Sequence, residues 1–319
     1  MVSEELIKCP MCSSKKVAKI NELSVSDIEY IYRIRHGIEM RNFFVDHIFE
    51  SESFILYRCK KCDLEFYSPM VLGDGEFYSQ LQGGGEYYPE GKLEHSYVAS
   101  VVNNISKGKT SVLEIGGGNG NLAELLDVDK YVALELNPNG LECIKKKGFQ
   151  AYNMTVERFT ESNPGDEFDA VIACQVLEHV ENVHTFIESS IRLTKKGGLL
   201  IFSVPSRDTF MSDEINNVLN MPPHHQTLWG ASVFSNMEDI YKLKIMNIVN
   251  HRLEPIHYMS YAKTMSGNLL GRGIRINKLL SKPFWSKLHG VISLPLYMYA
   301  KFFSGRISGH SITVVFMRQ

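Results

Sequence analysis

The stretch Val112-Leu-Glu-Ile-Gly-Gly-Gly-Asn-Gly120 decides the fold of this chain. Its aliphatic first half predicts a buried strand over 111–115, and a helix is expected to begin near Asn119. The connection between them has glycine at alternate positions: Gly116, Gly118 and Gly120. Because a residue without a Cβ lets the backbone bend sharply and come close to a ligand, this pattern predicts a ligand-binding loop after the strand.

The spacing of the glycines separates this loop from the dinucleotide-binding fingerprint. That fingerprint requires a last glycine where this chain has Asn121. Glu114 lies within the strand, where a carboxylate suits a ligand with an ammonium group and suits a pyrophosphate badly. Glu135, at the tip of the next predicted strand (130–135), can accept hydrogen bonds from both hydroxyls of a ribose. The alternative is a purely structural turn with Glu135 as a solvated strand end.

From about residue 96, short apolar runs alternate with helical patterns, which is typical of a parallel sheet with crossover helices. Further strands are expected at 149–152, 168–174, 198–204, 243–253 and 310–317. Helices are expected at 92–106, from Pro138 to Gly148, from strand 168–174 to about 194, and at 230–240, with a turn at Lys195–Gly198. The sequence therefore predicts an α/β fold.

Four of the six cysteines form two Cys-x-x-Cys pairs, Cys9/Cys12 and Cys59/Cys62. Each pair brings two thiolates together in one tight turn, and two such turns complete the tetrahedral sulfur site of structural zinc. In a cytosolic chain such pairs favour a metal site over disulfides. Unrelated cysteines or a redox pair are the alternative. Between the pairs we expect a helix opening at Ser26-Asp27 and a β segment near 52–58.

Residues 112–120, Glu135, 168–180 and 193–205 resemble the successive motifs of class I methyltransferases, which use S-adenosylmethionine. The resemblance covers roughly 96–254 and 310–319, and it implies a Rossmann-like seven-stranded sheet with an antiparallel last strand. It implies cofactor contacts from Glu114, Gly116, Gly118, Gly120 and Glu135, and from Cys174 or Gln175. Many members have an Asp after the third strand to hold the adenine amino group. Here Asn153 or a backbone group has to substitute.

The whole arrangement, including Cys62–Pro69 and Tyr87–Glu94, is similar to bacterial methyltransferases with a zinc-ribbon head that are associated with sugar and polysaccharide biosynthesis. This resemblance implies a small-molecule or glycan acceptor, methylated on a sugar hydroxyl or carbon. The alternative is an RNA methyltransferase whose zinc ribbon binds nucleic acid. Residues 1–70 have no excess of Lys and Arg that would form a basic patch, which argues against nucleic acid.

Two runs beyond the strand ends carry candidate catalytic residues. Methyl transfer depends mostly on positioning, but a hydroxyl acceptor also has to lose its proton, for which a histidine is suited. The candidates are His179, and His224 and His225, which follow two prolines. The alternatives are surface-loop histidines, histidines that bond the backbone, and for His179 a role in helix capping.

The charge of the chain is uneven, although its net value is only −2. From Pro255 to the end there are nine Lys/Arg and no Asp or Glu. Pro283 can open a helix in which one face carries Phe284, Trp285, Leu288, Val291 and Ile292. Three interpretations of this insert stay open: a lid or homodimer arm, a peripheral membrane contact through 263–306, and a nucleic-acid contact. Its uncharged run, 288–300, is too short to span a bilayer.

Four segments follow from these patterns. They are a zinc-ribbon domain (1–70), a connector over the active site (71–95), a methyltransferase domain (96–254 and 307–319) and a basic amphipathic helical insert (255–306). The first ten residues lack a basic stretch followed by an apolar run. We therefore expect a cytoplasmic protein, with the inner face of the membrane as a further expected location.

Overall fold

The computed structural model describes residues 7–40, 43–44, 52–82, 91–105, 109–214, 216–217, 220–271 and 282–319. The strands in chain order are β1 (Val17–Ser24), β2 (Ser53–Cys59), β3 (Glu65–Ser68), β4 (Ser111–Ile115), β5 (Lys130–Leu134), β6 (Gln150–Tyr152), β7 (Phe168–Cys174), β8 (Thr194–Pro205), β9 (Thr227–Leu228), β10 (Leu243–Arg252) and β11 (Ser308–Arg318). The helices are α1 (Val25–His36), α2 (Gly75–Gln82), α3 (Leu93–Ile105), α4 (Pro138–Lys146), α5 (Val156–Ser162), α6 (Val183–Leu193), α7 (Ala231–Tyr241), α8 (Tyr258–Gly271) and α9 (Pro283–Phe303).

By its contacts the chain divides into two compact units. The sheet unit comprises Tyr87–Val204, Ala231–Val249 and Ser311–Gln319. The head unit comprises Met1–Glu86, Pro205–Gly230 and Asn250–His310. Residues 205–230 thus group with the N-terminal cysteine segment, and the four-segment division stays a prediction. Of the predicted connector, Tyr87 and Tyr88 lie outside the described residues.

The sheet unit is built on a seven-stranded sheet with the order β10-β11-β8-β7-β4-β5-β6. The central pairs β4–β5, β4–β7, β5–β6 and β7–β8 are parallel. Strands covered on both faces need apolar side chains throughout, which is why β4 and β7 read as continuous aliphatic runs. The predicted α/β fold class with seven strands is confirmed, and the glycine loop lies at the carboxyl end of the interior strand β4.

Two local expectations in the sheet unit are wrong. The helix expected near Asn119 is replaced by turns and one 3-10 turn, Ala123–Leu125. Glycine-rich backbone with positive φ cannot start an α-helix, because that helix needs negative φ. The turn expected at Lys195–Gly198 is part of β8, where the pairing register with β7 shifts and Gly197 takes a φ of 76°. An irregularity of this kind, typical of a β-bulge, lets the strand continue.

The head unit contains a four-stranded sheet with the order β1-β2-β3-β9. Helix α1 packs Ile28, Ile31 and Tyr32 into the same core as Phe54 of β2. The cap of α1 is Ser24, whose hydroxyl accepts from the Asp27 N–H at 3.1 Å, so the helix opens earlier than the expected Ser26-Asp27 pair. The β segment expected near 52–58 is β2.

The predicted insert forms two of the head unit's helices, α8 and α9, which pack together. The Ser266 and Ser293 hydroxyls are 2.8 Å apart, and a ring nitrogen of His289 is 2.8 Å from the Lys263 carbonyl oxygen. Leu288 and Val291 of the predicted apolar face are exposed, whereas His289 and Ser293 are buried. The side chains of Phe284 and Trp285 lie outside the described part. Among the described helices, none has the length and hydropathy needed to cross a membrane.

Candidate functional site

The glycine loop after β4 has left-handed backbone at all three predicted glycines. The φ angles are 76° at Gly116, 53° at Gly118 and 74° at Gly120, a region that side chains with a Cβ rarely adopt. At Gly116 a Cβ would also come within 2.5 Å of a methyl group of Val176. The loop is tied to the next strand, because the Gly116 N–H donates to the Leu134 carbonyl at 2.8 Å. The alternating glycines are therefore required by the backbone.

Glu135, directly after β5, is hydrogen-bonded to the glycine loop. One carboxylate oxygen accepts from the Gly118 N–H at 2.7 Å, and the other accepts from the Asn137 N–H at 2.7 Å. The side chain is only 8% exposed, and burial raises its pKa against the lowering effect of these backbone donors. Glu135 is thus held in one orientation at the carboxyl end of the sheet, and it is not a solvated strand end.

Glu114 lies inside the sheet unit and is 2% exposed. Its Oε2 accepts a hydrogen bond from the Tyr131 hydroxyl of the neighbouring strand β5. Burial raises the pKa of this carboxyl to about 8, because the charged form loses its hydration. Near neutral pH the group therefore carries a proton for most of the time. Its predicted contact with an ammonium group stays a prediction.

Asn153 follows β6, at the position where the resemblance left the adenine contact open. Its Nδ2 donates to the backbone carbonyls of Glu135 and Leu136, both at 2.9 Å. Since both amide hydrogens are used on carbonyls, the amide oxygen is the group that can accept from a ligand. Leu136 beside it is 60% exposed, an unusual exposure for a leucine next to a buried strand.

A buried polar cluster that the sequence reasoning missed centres on Glu94 of α3. Its carboxylate accepts from the Gln175 side-chain amide at 2.9 Å and from the Ser203 hydroxyl at 2.9 Å. The Ser203 hydroxyl in turn accepts from that of Thr313 at 2.9 Å, and the Lys92 Nζ is 3.6 Å from the carboxylate. The sequence does carry a signal for the burial of Glu94. It precedes Val98 and Val102 at helical spacing, which places it on the buried face of α3.

Of the two predicted contacts after β7, Gln175 enters this cluster with a φ of 57°, and Cys174 is buried at the strand end. Burial raises the pKa of the Cys174 thiol, so it stays a neutral small side chain. The predicted cofactor contact of Cys174 or Gln175 stays a prediction.

Glu178 is the most isolated carboxyl group of the sheet unit. It lies in the 3-10 turn Leu177–His179 and is 1% exposed. Within the described part of the chain, neither of its carboxyl oxygens has a hydrogen-bond partner. Burial, with a further contribution from the nearby Glu94 charge, raises its pKa to about 8. The His179 Nε2 lies 3.7 Å from Oε1, too long for a hydrogen bond.

His224 and His225 belong to the head unit, whereas His179 belongs to the sheet unit. Both are buried, and their rings stack with centroids 4.5 Å apart, so they are not surface-loop residues. The His225 Nδ1 is 3.4 Å from the Asn220 side-chain oxygen. The next residue, Gln226, anchors the segment, because its side-chain amide donates to the Val71 and Pro223 carbonyls. The assignment of a histidine as base stays a prediction.

The four paired cysteines come together in the head unit. The Sγ atoms of Cys9 and Cys62 are 3.4 Å apart, and those of Cys12 and Cys59 are 3.5 Å apart. All four sulfur atoms lie within 4.8 Å of one another. A tetrahedral zinc site with Zn–S bonds of about 2.3 Å requires sulfur atoms about 3.8 Å apart. The donor set and its dimensions therefore fit Zn2+.

The two cysteine turns have the same backbone. In each, the first cysteine carbonyl accepts from the N–H four residues later at 2.9 Å, and its own N–H donates to the carbonyl five residues later at 2.9–3.0 Å. In each, the residue after the second cysteine has positive φ: 56° at Ser13 and 65° at Asp63. The buried Arg207 donates to both the backbone and the carboxylate of Asp63. The second turn is thus fixed by a segment distant in sequence.

Comparison with known proteins gives a family match. A family profile described as a methyltransferase domain matches residues 91–262, just over half of the chain. Similar curated proteins include the mitochondrial ubiquinone biosynthesis O-methyltransferase of Dictyostelium discoideum, 29% identical over 32% of this chain and 37% of that protein. The ubiquinone biosynthesis O-methyltransferase of Dechloromonas aromatica (strain RCB) is 34% identical over 33% of this chain and 48% of that protein. The chain thus matches less than half the length of these two relatives.

Among solved structures, a SAM-dependent methyltransferase from Archaeoglobus fulgidus has 14% sequence identity and a TM-score of 0.43. The match covers 76% of this chain and 99% of that one.

The buried Glu178 predicts a pH dependence of stability. Its folded pKa of about 8 lies above the unfolded value of ~4.3, so folding takes up a proton between these values. This residue therefore lowers the free energy of unfolding as pH rises, by ~1.4 kcal/mol per pH unit at most. The variant Glu178→Gln lacks this titration, and it is expected to lose less stability than the wild type between pH ~5 and ~8.

Urea unfolding at a series of pH values measures the difference, with Glu142→Gln, an exposed residue of α4, as the matched control. Parallel pH profiles of the wild type and Glu178→Gln would show that Glu178 is ionised in the folded protein.

Proposed function

The chain belongs to this family of methyltransferase domains, and we propose that it transfers a methyl group from S-adenosylmethionine to a small-molecule or glycan acceptor. The observation that carries the proposal is the coupling of the glycine loop to Glu135 through the Gly118 N–H. This bond holds a ribose-binding carboxylate beside a backbone that can approach a ligand closely. The absence of the dinucleotide glycine at Asn121 favours a methyl donor over a pyrophosphate cofactor.

The residues around the loop fit the parts of S-adenosylmethionine. Glu135 would accept from the two ribose hydroxyls, and the Asn153 amide oxygen would accept from the adenine amino group. The exposed Leu136 would give the adenine ring an apolar surface. Glu114 would offer its second carboxyl oxygen to the ammonium group of the methionine end, whose positive charge would stabilise the ionised carboxylate. Every one of these groups belongs to the sheet unit, and each is oriented by a hydrogen bond or by its strand.

When bound, S-adenosylmethionine supplies a methyl carbon that is activated by a positively charged sulfur. The work left to the protein is to orient the acceptor in line with the carbon–sulfur bond and to exclude water. A hydroxyl acceptor also has to give up its proton as the oxygen–carbon bond forms. For that proton we retain His224, His225 and His179 as candidates, because imidazole can accept a proton near neutral pH.

An oxygen acceptor is supported by the names of the curated relatives, which are O-methyltransferases. For this chain we propose a hydroxyl or carbon of a sugar or of another small molecule. Methylation of RNA is the alternative, and the charge of the first 70 residues gives it no support. The strand tip Ala173-Cys174-Gln175-Val176 also lacks the Asn/Asp-Pro-Pro pattern usual for enzymes that act on base or glutamine amides.

For the head unit we propose a structural zinc site formed by Cys9, Cys12, Cys59 and Cys62. Four thiolates leave no open coordination position, so the ion would hold the two cysteine turns together and take no part in methyl transfer. The matching backbone of the two turns supports this proposal, because each turn directs two sulfur atoms to one point.

Binding of the cofactor product tests the carboxylate assignment. Glu135→Gln is expected to weaken S-adenosylhomocysteine at least ~10-fold, or ~1.4 kcal/mol, because an amide presents a donor where the ribose needs an acceptor. Isothermal titration calorimetry measures the affinity, and Glu142→Gln is the matched control on an exposed helix face. A wild-type protein that does not bind S-adenosylhomocysteine would refute the methyltransferase proposal. Equal affinity of Glu135→Gln and the wild type would refute only the role of Glu135.

Metal analysis tests the zinc proposal. The purified wild type is expected to contain about one zinc ion per chain. Cys62→Ser is expected to lose the ion and to lower the stability of the head unit, since metal binding there contributes to folding. Cys143→Ser is the control, because Cys143 lies on α4 in the sheet unit. A metal content unchanged in Cys62→Ser would contradict the proposed ligand set.

A mass-spectrometric screen tests the acceptor and the base. Incubation with S-adenosylmethionine and a panel of sugar nucleotides, cell-envelope glycans and RNA is expected to yield a methylated sugar product. His224→Gln, His225→Gln and His179→Gln are then assayed separately with the acceptor that gave this product. The variant that lacks the base is expected to lower kcat at least ~100-fold and to keep its affinity for S-adenosylhomocysteine. If none of the three slows turnover, the histidine assignment is wrong. Methylation of RNA alone would establish the alternative function.

A further inference from the structure

Helix α9 of the head unit exposes a row of large apolar side chains to solvent. Five of them recur at helical spacing and form what we call the outer face: Leu288, Val291, Leu294, Met298 and Phe302. Val291 is 70% exposed, Leu294 60% and Phe302 72%. Single exposed apolar residues are common on protein surfaces, but a continuous row along a 21-residue helix marks an interaction surface.

On its opposite side α9 packs on α8, where buried polar and small residues lie beside a ring contact between Tyr258 and Tyr297. Ser293 contacts Ser266, and His289 contacts the Lys263 carbonyl, while Ala300 is fully buried. A helix in a water-soluble protein normally buries its large apolar residues and exposes its polar ones. On α9 the five residues of the outer face are exposed, whereas His289 and Ser293 are buried. The outer face is therefore suited to contact an apolar partner other than the described part of this chain.

The charges around the outer face indicate what that environment is. Lys287 lies near the start of the helix and Lys301 near its end, and both are exposed, as is Arg306 beyond it. No Asp or Glu occurs from Pro255 to the end of the chain. The aromatic rings of Tyr299 and Phe303 lie against each other beside the face, with centroids 5.0 Å apart. An apolar row bordered by lysines and aromatic rings is typical of helices that lie in a membrane interface.

We propose that the outer face of α9 binds the surface of an anionic phospholipid bilayer. The helix lies parallel to the surface, because its other side is covered by α8. Its apolar side chains enter the boundary of the acyl chains, and Lys287 and Lys301 contact the headgroup phosphates. A second copy of the chain fits less well, since pairing two such helices would bring like charges together. A nucleic acid would leave the five apolar side chains without a partner.

Vesicle flotation tests the proposal with the full-length protein. The wild type is expected to float with vesicles of equal parts phosphatidylcholine and phosphatidylglycerol, and to bind vesicles of phosphatidylcholine alone at least ~10-fold more weakly. Val291→Glu/Leu294→Glu is expected to lower binding at least ~10-fold, because both carboxylates would enter the interface. Lys287→Gln/Lys301→Gln is expected to lower binding to the anionic vesicles and to reduce its sensitivity to salt.

The control is Ile20→Glu/Ile34→Glu, which adds the same charge at two exposed isoleucines of β1 and α1 in the same unit. It is expected to float as the wild type does. Thermal unfolding of all variants checks that the exposed substitutions leave the fold intact.

Three outcomes would overturn the proposal. The first is equal flotation of the wild type and Val291→Glu/Leu294→Glu. The second is a wild-type dimer in light scattering that this variant converts to a monomer, with no binding to vesicles. The third is binding of a labelled RNA oligonucleotide that the variant abolishes while flotation stays unchanged. None of these measurements requires the methyl acceptor. Their results are therefore independent of whether the protein transfers a methyl group.

Discussion

The hydrogen bond from the Gly118 N–H to Glu135 is the interaction on which the proposed cofactor site depends. It joins the loop after β4 to the end of β5, two parallel strands whose carboxyl ends meet at one edge of the sheet. The bond requires a left-handed backbone at Gly118, which a side chain would make costly. In return, the backbone N–H groups hold the Glu135 carboxylate in one place. The conformation of the glycine loop and the position of the Glu135 carboxylate thus depend on each other.

Buried carboxyl groups are concentrated in the sheet unit: Glu94, Glu114, Glu135 and Glu178. Removing a carboxylate from water is costly, and these groups meet that cost by accepting hydrogen bonds, by a raised pKa, or by both. Glu94 and Glu135 accept hydrogen bonds from neighbouring donors, whereas burial raises the pKa of Glu114 and Glu178 toward 8. Perturbed acids of this kind cluster at functional sites more often than in purely structural cores.

The head unit carries two features of its own, the cysteine cluster and the exposed outer face of α9. Two cysteine turns with the same backbone meet around one point, and Arg207 from a distant segment fixes the second turn. Helices α8 and α9 pack through small, polar and aromatic residues, and the large apolar residues of the outer face of α9 are exposed. Neither feature is needed for a methyl donor to bind. We propose that the cysteine cluster stabilises the fold of the head unit and that the outer face of α9 contacts a membrane surface.

The sequence by itself determined the elements whose signals are local. The aliphatic strand, the alternating glycines and the two Cys-x-x-Cys pairs each depend on neighbouring residues only, so strand periodicity, left-handed turns and sulfur convergence could be read directly. The tertiary structure decided what depends on distant neighbours. It showed that Glu94 is buried with Ser203 and Gln175, that Glu178 is buried without a partner among the described residues, and that α9 turns its apolar side outward. Spacing can place a residue such as Glu94 on the buried face of a helix, but a one-dimensional pattern does not contain which residues pack against it.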